Sequence, residues 1–214
     1  VRIGIFTQKK DDMINLYSKQ VISSTDPYLW MNAAEVTFLR AEGALRGWDM
    51  GGDAQALYEK AIALSFEERG GTTGADRYVK DTEKKPIDYV NPMDGADIKY
   101  SHSAVSTITI AWEPGAENFE RNLERIITQK WIAMFPLGIE AWCEHRRTGY
   151  PKFLPIMDNK GVGITNLTLG IRRLSYPAEE YQLNAENMLG ALRKLNGEDN
   201  GATRLWWDCN PNVK

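Results

Sequence analysis

"DPYLWMNAAEVTFLRAEGALRGW", residues 26–48, decides how the chain is read. Leu29, Ala33, Val36, Leu39 or Arg40, Ala44 and Trp48 recur at steps of three and four, the period of a helix with one apolar face. Asp26 ahead of Pro27 offers an N-cap with proline at the first helical position, and Gly47 followed by Gly51 and Gly52 offers a stop. Asp53 then caps "AQALYEKAIALSFEERGG", in which Ala54, Tyr58 and Ala61 fall at i, i+4 and i+7 before Gly70. Two helices joined by so short a turn form an antiparallel hairpin.

The small-aromatic-small stripe on the second helix matches half of a tetratricopeptide helix pair, where alanines allow close approach and the ring fills the groove. Only one such pair stands in the sequence. Units of this kind bury their faces by stacking, so a lone pair implies companions elsewhere. The opening "VRIGIF" starts on an alternating apolar pattern without a Met, as expected of a piece of a longer protein.

From Gly70 to Gly115 the helical period disappears and Gly, Pro, Asp, Lys and Thr punctuate the chain. Within it "VSTITIAW" alternates Ile108, Ile110 and Trp112 against Thr107, Thr109 and Ala111, which predicts a half-buried strand. Helical pattern resumes at "AENFERNLERIITQKWIAMF", with Phe119, Leu123, Ile126, Ile127, Trp131 and Met134 on one face and Glu117/Arg121 as an i,i+4 pair. A helix over 139–148 follows, then a short one from Pro177 and another capped by Asn184 and closed by Gly197. The fold class is mainly α: a tetratricopeptide-like hairpin over 26–70, a loop-rich insertion with little β over 70–115, and C-terminal helices over 116–214.

The formal net charge of −3, with no stripe of Lys or Arg interleaved with aromatics, gives nucleic acid no electrostatic footprint. No apolar run is long enough to span a bilayer, and the first residues lack signal-peptide order. Cys143 and Cys209 permit one disulfide but form neither a framework nor a zinc spacing.

The densest chemistry lies in "EAWCEHRRTGYPKF", residues 140–153. Glu140 and Glu144 share a helix face, but neither is followed three residues later by His, so a carboxylate-bridged metal pair is not formed. A His-Glu-x-x-His site is likewise absent from a chain with His102 and His145 alone. The stretch reads as a helix terminator: Arg146 and Arg147 meet the negative end of the dipole, Gly149 suits a left-handed cap and Pro151 prevents continuation. Either arginine is placed to pair with Glu35 or Glu42, which stand seven apart, about two turns. Cys143 lacks an oriented base, which favours a packing role. "GGTTG" and "GVGITNLTLG" complete no phosphate-binding fingerprint, and Asp94, Gly95 and Asp97 fail the EF-hand order, so no cofactor or metal is expected.

Seven Trp and nine Tyr make aromatic recognition the strongest functional signal, because flat rings stack on sugar faces as well as filling cores. Trp30, Trp131 and Trp142 lie on helical patterns and are expected in the core. Tyr78, Tyr89, Tyr100 and Trp112 fall in or beside the irregular stretch and are the candidate ligand-binding residues.

Several blocks together, "AAEVTFLRAEGALRGW", "NLERIITQKWIAMFPLGIEAWCEHRRTGYPKF", "RRLSYPAEEYQLN" and the terminal "LWWD", resemble the SusD/RagB family of outer-membrane nutrient-binding lipoproteins, in the expected order from about residue 26 onward. The resemblance implies a helical fold with tetratricopeptide-type pairs, a lipid anchor on an N-terminal cysteine, and association with a SusC-like TonB-dependent transporter at the cell outer membrane. The anchor cysteine, signal peptide and most repeats of that pattern are missing here, as expected of the C-terminal portion of the longer protein. The function implied is non-catalytic capture of a glycan or other nutrient for delivery to the transporter. The alternatives are a helical scaffold that binds only proteins, and a glycoside hydrolase using two carboxylates among Asp94, Asp97 and Glu113.

Overall fold

A computed structural model of the chain describes residues 23–71, 73–91, 101–157, 159–161, 163–164, 166–168 and 170–210. The hairpin is formed by α1 (Ala33–Leu45) and α2 (Ala54–Glu68). Their facing stripes, Ala34, Phe38 and Ala41 against Leu57, Tyr58, Ala61 and Ile62, are buried, and Phe38 meets Tyr58 edge-on at 6.2 Å. Glu68 of α2 accepts from the backbone N–H of Ala34, which brings the end of one helix to the start of the other. Asp53 caps α2 by accepting from Ala56 N at 3.0 Å.

The start of α1 differs from the reading. Asn32, not Asp26, is the N-cap, accepting from Glu35 N at 2.6 Å, while Asp26 closes a turn on Ser23 N. Both residue types cap well, but Asn32 also donates from its amide to Ala133 O at 3.1 Å, a tie that fixes where the helix begins. Trp30 is therefore left outside α1 and is exposed rather than in the core. Trp48 likewise lies beyond Gly47, whose φ of +84° turns the chain out of the helix.

Between the hairpin and the C-terminal helices, α3 (Ala75–Tyr78) is a single turn, and an isolated antiparallel bridge pairs Tyr89 with His102. The expected strand over "VSTITIAW" is not formed. Its alternation holds, since Ile108 is buried and Ile110 and Trp112 rest on the core. Its backbone, however, is met by Arg125 at Thr109 O, by Tyr58 at Ile110 O and by the Asp81 carbonyl at Ala111 N rather than by a neighbouring strand.

α4 (Phe119–Ala133), entered through a 3-10 turn at Ala116–Asn118, brings Leu123, Ile126 and Ile127 into the core. It also buries Glu124, Arg125 and Lys130. Arg121 does not use Glu117 as the spacing suggested; Glu113 on the approaching segment takes it at 2.5 Å. α5 (Gly138–Thr148) ends at Gly149 with φ +79°, the left-handed cap expected. Arg147 reaches back to Glu42 with two hydrogen bonds of 2.7 and 2.6 Å, the inter-helix ion pair suggested by the spacing. α6 (Ala178–Leu183) and α7 (Ala185–Leu195) follow; α7 closes on Asn196 at φ 56°, one residue before Gly197, because Asn tolerates that conformation.

Candidate ligand-binding site

Of the candidate rings, Trp112 sits on a segment, 106–113, held down by α4 and α2. Ser106 donates to Glu124 at 2.5 Å, and Thr109 O accepts from Arg125 Nε at 3.0 Å. The Tyr58 hydroxyl donates to Ile110 O at 2.7 Å, and Asn122 exchanges hydrogen bonds with the Glu113 backbone. Glu113 itself is gripped by Arg121 and by the fully buried Arg125 at 2.6 Å. The Arg121 hydrogen bonds hold its carboxyl down, and those of Arg125 add to them against a partial burial cost, leaving it at about 2. It is a charge-paired strut, not a proton donor at neutral pH.

This tethering decides where the predicted residues lie. Trp112 is half-buried with its ring 5.6 Å from Tyr58. Tyr78 is half-buried against Phe66 at 5.5 Å and shares a hydrogen bond with Gln129. Both therefore rest on α2 as part of the packed interior more than as an open platform. Tyr89, also half-buried, stands apart on a short ribbon in which its backbone exchanges two 2.9 Å bonds with His102. Asn91 N donates to Ser101 Oγ and Ala104 N to Asp88, so the ribbon brackets residues 92–100. Tyr100, Asp94 and Asp97 lie outside the described residues.

The rings most open to water lie elsewhere: Tyr28, Trp30, Trp48 and Trp206, the last 89% exposed. Trp206 follows from a rigid turn. Asp208 is buried and clasped by Arg172 at 2.9 and 2.7 Å, while the Trp207 ring lies over Arg146 at 4.7 Å and Arg146 over Trp142 at 4.2 Å. Trp207 is exposed too, at 38%, so both rings of "LWWD" flank the buried Asp208 from the water side.

Other chemistry-bearing groups are tied up. Lys130 sits 2.9 Å from Glu144 and 3.9 Å from Glu35, and Arg147 bridges Glu144 to Glu42, which Arg46 also holds. His145 stacks on Phe153 at 4.5 Å with Nδ1 against Pro151 O. Cys143 and Cys209 are free thiols. Among the described residues no group of three or more His, Cys, Asp or Glu gathers to hold a metal, and no helix is long and apolar enough to cross a membrane.

Residues 1–208 match the family model of SusD-like proteins, described as SusD and RagB outer membrane lipoproteins. The chain belongs to this family. A SusD homologue from Bacteroides thetaiotaomicron is 47% identical with a TM-score of 0.89, over 99% of this chain and 45% of its own. A homologue from Bacteroides uniformis is 48% identical with a TM-score of 0.81, over 91% of this chain and 40% of its own. A chitin-binding SusD homologue from Flavobacterium johnsoniae is 47% identical with a TM-score of 0.77, over 84% of this chain and 36% of its own. No curated protein matches. The SusD-like chain thus spans less than half the length of these relatives, and its helical architecture is theirs.

Proposed function

We propose that this chain forms the C-terminal part, 1–214, of a SusD/RagB-like domain whose whole protein is a non-catalytic glycan-binding lipoprotein at the outer membrane. It captures an oligosaccharide and delivers it to a SusC-like TonB-dependent transporter. The observation that carries the reading is the family match over residues 1–208 together with a chitin-binding relative at 47% identity. The geometry supports it: the hairpin 26–70 is tied to the helices 116–214 through Glu42–Arg147 and the insertion 70–115 through Glu113–Arg125, the buried Arg172–Asp208 pair holds the C-terminal part, and Glu113 is spent on two arginines. Stacking plus hydrogen bonding is then the mechanism, with Tyr78, Tyr89, Tyr100 and Trp112 as the candidate rings and Tyr89, half-buried on the ribbon, the one among the described residues that stands clear of the packed interior.

A second reading, a scaffold that binds only proteins, is favoured by the half-burial of Tyr78 and Trp112. Calorimetry of the full-length protein with chito-oligosaccharides and a glycan array separates the two. Binding that weakens on Tyr89→Ala or Tyr100→Ala supports glycan capture; no glycan response on either assay sinks it, and shortened oligosaccharides in the supernatant would make the protein a hydrolase.

A further inference from the structure

The turn Leu205–Asp208 breaks a local rule. Asp208 N donates to Leu205 O at 2.9 Å, which puts Trp206 and Trp207 at its two corners. Gly, Pro, Asn, Asp and Ser are usual there, because each either suits the corner backbone or bonds to it. An indole does neither. The stack on Arg146 gives Trp207 a packing role, but the ring of Trp206 makes no contact or hydrogen bond with any described residue and is almost wholly exposed. Its base is nevertheless fixed, since Arg172 clasps both oxygens of Asp208 and Arg204 donates to the Asp208 carbonyl. Sequences depart from local rules chiefly where function asks for it.

Every carbonyl of the turn is spent. Leu205 O receives Asp208 N, Trp206 O the Cys209 thiol at 3.1 Å, Trp207 O the Cys209 N–H at 2.9 Å, and Asp208 O the Arg204 Nη1 at 3.3 Å. The Asp208 carboxylate is shared between Arg172 and Arg204. What stays unspent among the described residues is donors: Trp206 Nε1, and Nε and Nη2 of Arg204, whose side chain is a third exposed. Those two nitrogens are the edge of the guanidinium that Arg172 uses to clasp Asp208, the edge that takes a carboxylate with two parallel bonds. Three guanidiniums, those of Arg146, Arg172 and Arg204, stand here against the one carboxylate of Asp208. A flat ring bordered by free donors and positive charge complements a ligand with an apolar face and an excess of acceptors.

We propose that the Leu205–Asp208 turn binds a carboxylated sugar of the uronate type, its CH face on Trp206 and its carboxylate on Arg204. The assignment rests on the reading of the whole protein as a glycan-capture protein, and adds to it a second contact, apart from the ribbon at Tyr89, that selects acidic chains. A neutral sugar stacks on the ring but leaves the free edge of Arg204 without its anion.

The test titrates the full-length protein calorimetrically with tri-galacturonate and with its methyl ester, which keeps the sugar face and removes the charge. The acid is expected to bind about tenfold more tightly than the ester, and to weaken as salt is raised. Arg204→Met is expected to abolish that preference, and Trp206→Ala to weaken both ligands about fivefold. Hydroxyl-radical footprinting of the unsubstituted protein guards against misfolded variants: oxidation of Trp206 is expected to slow several-fold when tri-galacturonate is added. Equal affinity for acid and ester overturns the proposal, as do variants that bind like the wild type. So does a Trp206 already protected without sugar, which means that another part of the polypeptide covers the ring. Silence towards tri-galacturonate while chito-oligosaccharides bind removes this site and leaves glycan capture standing; silence towards every glycan removes both.

Discussion

Asp208→Asn is the sharpest single perturbation of the frame. The Asp208 and Arg172 side chains are 2% and 3% exposed and joined by two hydrogen bonds of 2.9 and 2.7 Å, with Arg204 at 3.3 Å on the same oxygen. Beyond Asp208, Arg172 keeps only a neutral carbonyl, Arg146 O, as acceptor from Nη2, and its Nη1 is buried without a hydrogen bond. Asparagine keeps the shape and one acceptor but removes the charge, leaving a guanidinium in a site almost without water. Breaking a buried pair from one side costs about 3–5 kcal/mol, and the retained acceptor puts this case near 3. For a protein of this size that is a fall in Tm of about 6–12 °C. Thermal and urea unfolding at pH 7 read it directly, and tryptophan emission reports the adjacent Trp206–Trp207 turn. The double change Arg172→Met with Asp208→Leu removes both charges, and is expected to be less destabilising than Asp208→Asn alone. A loss below about 1 kcal/mol, or strict additivity in the double-mutant cycle, refutes the reasoning.

Glu35 and Glu42, two turns apart on α1, respond to acid in opposite ways. Burial raises Glu35 above the usual glutamate value despite Lys130, and its second oxygen has no hydrogen bond; its ionisation costs stability as pH rises above about 4.5. Glu35→Gln is therefore expected to gain on the wild type as urea midpoints are followed from pH 4 to 8. At Glu42 burial is outweighed by the Arg147 and Arg46 bonds, so its carboxyl is lowered and its contribution is lost as pH falls below about 4.5. Arg147→Met should accordingly lower stability at pH 7 and lose its effect on the acid side. Glu113→Gln, partly exposed but the partner of buried Arg125, should cost about 1–2 kcal/mol at pH 7, a difference that closes as pH falls from 4.5 towards 2, followed by urea melts. Gly149→Ala places a Cβ at φ +79° and is expected to cost about 1 kcal/mol in thermal unfolding.

Much of the helical frame was legible because its determinants are local. Asp53 and Gly149 cap where the spacing puts them, and the Glu42 to Arg147 pair follows from two glutamates a whole number of turns apart. The start of α1 was not, since Asp26 and Asn32 cap equally well until Ala133, 101 residues away, chooses between them. Trp30 shows the same limit: apolar residues at helical spacing look identical whether a partner covers them or not. The site was the least legible part. Irregular sequence suggests surface, yet Tyr78 and Trp112 are drawn inward because α2 and α4 present Tyr58, Gln129 and Arg125 to the segment crossing them.

The same recruitment ties arginines to backbone carbonyls throughout a frame built from helices. The last carbonyls of a helix, such as Ala133 O and Arg146 O, and those of the irregular segments between helices have no ladder to join, and each that is covered must find a donor. Arginine supplies several donors at the end of one flexible stem. Arg125 serves Thr109 O, Arg40 serves Met50 O, Arg69 serves Ala133 O, and Arg146 and Arg172 serve each other's carbonyls. The carboxylates nearby, Glu113 and Asp208 above all, neutralise the donors. Segments pinned in this way hold their shape without a sheet, as the stretch 106–113 does between α2 and α4.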